Sequence, residues 1–123
     1  MSDVLEEVLA RWKHAFDGHR PDEMADLFTQ DVLFQGFGPS VTTGRDAVRS
    51  YYQAVADGRR ADVVPLHSYT IGPDVTCGFA DVTVTGGARP EVRMRMSLVV
   101  RHDDEGWRIR QYHVSRLPAQ ARD

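Results

Sequence analysis

The sequence predicts an α+β fold in which short N-terminal helices cover one side of a curved antiparallel sheet and close it into a cone. Three observations carry that prediction. Apolar residues in the first half recur at helical spacing, those from Val63 onward alternate with polar ones, and the alternating runs are broken by short Gly, Pro and Asp stretches that join antiparallel neighbours. A chain of 123 residues forms one domain, 1–123, with a single core.

From Val4 to Asp17 the residues Val4, Val8, Trp12 and Phe16 share one helical stripe flanked by Leu5 and Leu9, and Gly18 ends it. Pro21, Asp22 and Glu23 make the first turn of a short second helix, acids at its positive end, that buries Met24, Leu27 and Phe28. Val32 to Gln35 reads as a short strand, stopped by the breaker-rich loop Gly36-Phe37-Gly38-Pro39. A third helix is predicted from Thr43, where Thr-Gly-Arg-Asp fits a capping box with Asp46 as the returning acid, to Gly58. Its buried face would hold Val48, Tyr51 or Tyr52, and Val55.

Four strands follow, Val63 to Ile71, Val75 to Thr85, Glu91 to His102 and Trp107 to Arg116. Pro65 cannot donate to a ladder, so its part of the first is an edge or a bulge. Strict alternation in the last run sets Trp107, Ile109, Gln111, His113 and Ser115 on one face and Arg108, Arg110, Tyr112, Val114 and Arg116 on the other. With His102 opposite Trp107, Val100 meets Ile109, Leu98 meets Gln111 and Met96 meets His113. On the reverse side Arg101 meets Arg108 and Arg93 meets Arg116. The first face, apolar around one imidazole, is the expected wall of a pocket.

Composition excludes several classes. A net charge of -3 gives no overall pull toward nucleic acid or anionic lipid, and no apolar run approaches membrane-spanning length. Cys77 is the only cysteine, so an intrachain disulfide and a thiolate cluster are both out, and the acidic start from Met1 to Leu9 lacks signal-peptide character; a cytoplasmic protein is expected. No metal is expected, because His14 and His19 are unsuitably spaced and the other histidines are scattered. No cofactor is expected either: Gly36-Phe37-Gly38 lacks the third glycine and the strand-to-helix setting of a dinucleotide fingerprint.

The run Thr43-Gly44-Arg45-Asp46-Ala47-Val48-Arg49-Ser50-Tyr51-Tyr52, then Ile71-Gly72-Pro73-Asp74-Val75, and finally Gly106-Trp107-Arg108-Ile109 through His113-Val114-Ser115-Arg116 resembles the nuclear transport factor 2-like (SnoaL-like) superfamily. Within it the sequence is most similar to the SgcJ/EcaC group, and more distantly to the association domain of calcium/calmodulin-dependent protein kinase II. The resemblance implies a cystatin-like, cone-shaped α+β fold, dimeric through the outer sheet face. It also implies a range of roles that includes ketosteroid isomerases, polyketide cyclases, dehydratases and non-catalytic binders. Two departures from family patterns stand out. Val82 and Leu98 occupy the positions from which the kinase domain's arginines enter its cavity, and Asp81 points outward with Cys77 and Phe79 if Val82 points in.

The expected function is therefore a small-molecule-binding protein with an apolar pocket for a small apolar or polycyclic ligand. As an enzyme it would carry out isomerisation, cyclisation or dehydration without a redox cofactor, in bacterial secondary metabolism of the polyketide or enediyne type. His113, with its charged form disfavoured by an apolar wall, is the expected acid/base, and Tyr69 the donor that polarises a carbonyl. Trp12, Phe16, Phe34, Tyr51, Met96, Leu98, Trp107 and Gln111 are the expected substrate contacts. Arg95, Val99, Arg110, Tyr112 and Val114 form the expected homodimer surface. The competing reading is a dimerisation or scaffold module whose cavity is filled by its own side chains.

Overall fold

Helical stripe, alternation and turn chemistry resolve into one sheet and three covering helices in the computed structural model, which describes residues 3–118. The two ends of the predicted 1–123 domain, and Met1 and Ser2 of the acidic start, lie outside the described residues. Helix α1 (Val4–Asp17) begins where the Asp3 carboxylate accepts the Leu5 N–H at 2.8 Å, and it buries Leu5, Val8, Leu9, Trp12, Ala15 and Phe16. Helix α2 (Pro21–Ala25) opens on its proline and leads into β1 (Phe28–Gln35), which starts earlier than the predicted Val32.

A short strand β2 (Thr42–Thr43) precedes α3 (Arg45–Gln53). The predicted capping box does not form. Thr43 is committed to the ladder opposite Leu33, so Gly44 takes the N-cap position at φ 89, and the helix ends at Gln53 rather than running to Gly58. The meander is then β3 (Arg59–Ile71), β4 (Val75–Gly86), β5 (Val92–Asp103) and β6 (Gly106–Arg116), in a sheet ordered β2-β1-β6-β5-β4-β3. All its pairings are antiparallel except β1 with β6, which run parallel. Pro65 sits on the edge strand beside a register irregularity, as its missing N–H requires.

Helix α1 lies across the inner face and is fastened at both ends. Near its start a Cβ on Gly78 would lie 2.4 Å from the Leu5 side chain and 2.3 Å from the His67 carbonyl, so only glycine lets the helix approach β4 this closely. At its end Asp17 accepts the Ala61 N–H at 2.8 Å while Lys13, the only lysine, donates to the Ala61 carbonyl, so one residue of the edge strand is satisfied by the helix.

The departure that governs the site is in β6. Its pairing with β5 runs as predicted from His102–Trp107 to Val100–Ile109, then jumps to Val99–Gln111, leaving Arg110 as an extra residue. Beyond that bulge Leu98 faces Tyr112, Met96 faces Val114 and Met94 faces Arg116, so the predicted Leu98–Gln111, Met96–His113 and Arg93–Arg116 partners are replaced. Tyr112 and Val114 are buried, whereas Gln111, His113 and Ser115 are exposed. Unbroken alternation would have packed an amide, an imidazole and a hydroxyl against Met96 and Leu98; the bulge buries a tyrosine and a valine instead. The bulge residue itself is held by Asp31 of β1, whose carbonyl accepts from Arg110 at 3.1 Å and whose carboxylate lies 3.4 Å from its Nε.

Candidate ligand site

Beside the β4–β5 turn the helices and the inner sheet face line a partly open cavity of about 150 Å³. Helix α1 supplies Trp12 and Phe16, one turn apart on its buried stripe, with ring centroids 5.0 Å apart in a stacked arrangement. Tyr51 and Tyr52 come from α3, followed by Val55, and Phe37 from the loop after β1. The strands contribute Arg59, Val84, Val92, Met94 and Tyr112. Gly36 is what admits Tyr51: a Cβ there would stand 2.3 Å from a carbon of its ring.

The cavity's polar chemistry is a chain of hydroxyls within aromatic walls. Trp12 Nε1 donates to Tyr52 Oη at 3.1 Å, and Tyr52 Oη donates to Tyr112 Oη at 3.1 Å. Phe34 stacks on Tyr112 with centroids 4.7 Å apart and an 8° interplanar angle, and packs edge-on against Tyr51 and Tyr52. Burial pushes the Tyr52 hydroxyl far up, against the pull of its bonds to Tyr112 and Trp12, and pushes Tyr112 well above the usual phenol range with Tyr52 adding to the effect. Both are neutral hydroxyls at physiological pH. Tyr51 is raised by desolvation too, with Phe37 and the Arg116 charge opposing. Among the described residues no group of three His, Cys, Asp or Glu side chains gathers to hold a metal, and no helix is long and apolar enough to cross a membrane.

The predicted site residues divide into three groups. Trp12, Phe16 and Tyr51 line the cavity, with Phe34 packed behind Tyr51 and Tyr112. Met96 and Leu98 are buried in the close-packed core, and Trp107 lies at the far end of β6 with its ring 5.1 Å from His102. The remaining three are corrected. His113 and Gln111 stand exposed on the outer face because of the Arg110 bulge, and Tyr69 is 60% exposed on the outer face of β3 opposite Cys77. Neither expected acid/base nor expected polarising donor reaches the cavity. Of the expected dimer surface, Tyr112 and Val114 are inside; Arg95, Val99 and Arg110 remain on the outside, Arg95 clasping Asp81 through two bonds of 2.7 and 3.0 Å. The cavity residues that sequence reasoning missed are chiefly Tyr112 and Arg59.

A family model described as a SnoaL-like domain matches residues 5–120. The chain belongs to the SnoaL-like family. No protein with a curated description matches the sequence. Solved structures similar to this SnoaL-like domain include a ketosteroid isomerase-like protein from Erwinia carotovora atroseptica, at a TM-score of 0.80 and 17% identity over 94% of this chain and 95% of that one. A candidate scytalone dehydratase from Novosphingobium aromaticivorans superposes with a TM-score of 0.82 at 16% identity, covering 93% and 82% of the two chains. A Mycobacterium tuberculosis protein of unknown function gives 0.79 at 25% identity, covering 91% and 73%. These likenesses establish that the SnoaL-like domain has the cystatin-like, nuclear transport factor 2-like fold expected from its sequence.

Proposed function

We propose that this SnoaL-like domain binds a single-ring aromatic molecule bearing an oxygen acceptor, with the Tyr112 hydroxyl as the donor to that oxygen. The observation that carries the reading is the Trp12–Tyr52–Tyr112 chain, whose last hydroxyl has Tyr52 as its one hydrogen-bond partner among the described residues and is free to turn its proton to a ligand oxygen. Size sets the ligand class. A cavity of about 150 Å³ is the size that, when lined by apolar side chains, holds one benzene ring. That volume gives one ring of the ligand a place within the walls, and it argues against a scaffold whose interior is filled.

Binding, rather than acid/base turnover, is the better-supported role. The lining holds neither carboxylate nor imidazole, and its tyrosines are too weakly acidic to act as bases near neutrality. The isomerase-type reading draws support from one feature, the same Tyr112 donor, which is suited to an oxygen that gains charge on enolisation. A place in polyketide or enediyne metabolism rests on the family resemblance. The domain acts as a homodimer through the outer sheet face, with Tyr69 and Phe79, 60% and 47% exposed, now its apolar centre in place of Tyr112 and Val114.

Acetophenone titration, followed by the Trp12 indole N–H resonance, tests the reading. Binding should weaken roughly tenfold in Tyr112→Phe, which retains the ring and removes the donor; undiminished affinity would exclude Tyr112 as the anchor. Deuterium exchange at the acetophenone methyl group in D2O separates the two roles. Exchange no faster than in buffer leaves a binder, and acceleration that disappears in Tyr112→Phe establishes the isomerase type.

A further inference from the structure

The cavity also holds a cation that the hydroxyl chain does not explain. Arg59, at the first position of β3, is only 8% exposed, yet it lines the cavity next to Val84, Val92 and Met94. Its guanidinium donates from Nη1 to the carbonyls of Gly86 at 2.8 Å and Arg89 at 3.3 Å, and from Nη2 to that of Pro90 at 3.0 Å. These three bonds fasten the β4–β5 turn. Among the described residues no carboxylate lies within 4.0 Å of it, and its Nε–H and second Nη2–H have no acceptor.

Carbonyl dipoles satisfy hydrogen bonds but do not cancel a charge. A desolvated guanidinium without a counter-ion leaves positive potential in its surroundings, and fully burying it unpaired would be costly. A second cation adds to the field at the rim, where Arg116 lies over the Phe37 ring at 4.7 Å from the centroid and within electrostatic reach of Tyr51. No acidic side chain lines the cavity to offset either.

We infer that the cavity selects an anionic ring, an aromatic monocarboxylate of benzoate size, whose ring lies among Trp12, Phe16 and Tyr51 while its carboxylate meets the Arg59 guanidinium. This rests on the ligand-site reading above and narrows its chemical class. Charge-assisted bonds to a fork-shaped guanidinium favour a carboxylate over a neutral group of equal shape.

Calorimetric titration of the whole chain with benzoate and with benzamide, its neutral isostere, is the test. Benzoate should bind about tenfold or more tightly at pH 7, with the preference shrinking as salt is added. Arg59→Met should remove the preference and keep the benzamide affinity. Because Arg59 also fastens a turn, that variant can lose its fold; the wild-type comparison of the two ligands then decides alone. Equal affinities overturn the inference and leave the neutral-ligand site standing if acetophenone still binds. Silence from benzoate, benzamide and acetophenone alike removes the ligand site and this inference with it. Binding of benzoate that leaves the Trp12 indole resonance unmoved would assign the anion to another surface and overturn the inference equally.

Discussion

The two halves of β6 carry the same alternation and obey it on opposite faces. From Gly106 to Ile109 the inward residues are Trp107 and Ile109; from Gln111 to Arg116 they are Tyr112 and Val114. Between them sits Arg110, the one residue without a partner in the β5 register. A single inserted residue exchanges the chemistry of the two faces over the rest of the strand. An imidazole goes to the solvent side, and a phenol held neutral by burial goes to the cavity. The functional meaning of the strand changes from acid/base catalysis to hydrogen-bond donation without any change in its composition.

Adjacent truncations at the bulge break the comparison most sharply. Tyr112→Ala should cost about 3–5 kcal/mol in urea-unfolding experiments, since it removes a 2%-exposed ring that stacks on Phe34 and touches Phe28. His113→Ala should change stability by less than about 0.5 kcal/mol, as an exposed position away from caps and networks does. Unbroken alternation predicts the reverse order, so one pair of melts distinguishes the two registers.

A subtler contrast comes from the hydroxyl chain, which exists only because Tyr112 turned inward. Tyr52→Phe keeps the ring but strips the acceptor from the Trp12 indole and the donor from Tyr112, for an expected loss of about 1–3 kcal/mol. The chain also gives the fold an alkaline limit. The folded-state pKa values of Tyr52 and Tyr112 are raised above their unfolded value near 10.0, so the unfolded chain loses those protons first. Stability should therefore hold up to that pH and fall as pH rises beyond it. In Tyr52→Phe/Tyr112→Phe that alkaline slope should be shallower; an unchanged slope would mean these hydroxyls do not remain protonated on folding.

Much of the fold was legible, and the bulge marks where legibility stopped. The apolar stripe and Gly18 gave α1 its bounds at Val4 and Asp17, and the Gly and Asp breaks gave the meander, because both signals are local. The parallel pairing of β1 with β6 joins distant segments and leaves no local trace. Arg110 is polar in a run where either phase of the alternation accepts a polar residue, so the pattern continues smoothly past it. One sign was present: Trp107 and Ile109 are two apart, Tyr112 and Val114 are two apart, and the step from Ile109 to Tyr112 is three. Arg59 was hidden differently. A charged residue ahead of the first predicted strand position reads as solvated, and only the folded β4–β5 turn brings three carbonyls to it.

The smallest effect lies on the outer face, where ions meet water. The Arg95 guanidinium beside Asp81 holds its carboxyl below the usual carboxylate range, with partial desolvation opposing and Arg93 assisting. A carboxylate whose folded pKa is depressed contributes stability that is present above the unfolded value and is lost as pH falls through the folded one. Asp81→Asn should therefore melt slightly lower than wild type at pH 6, and the gap should close in acid below pH 3.8. The pair is largely solvated, so the gap in dilute protein should be barely measurable. A second subunit seated on this face would desolvate Arg95 and Asp81 together and leave the arginine unpaired in the variant, which is far more costly than losing an exposed pair. The gap should then widen as protein concentration rises through the dimerisation range. A concentration-independent gap would leave the outer face facing solvent.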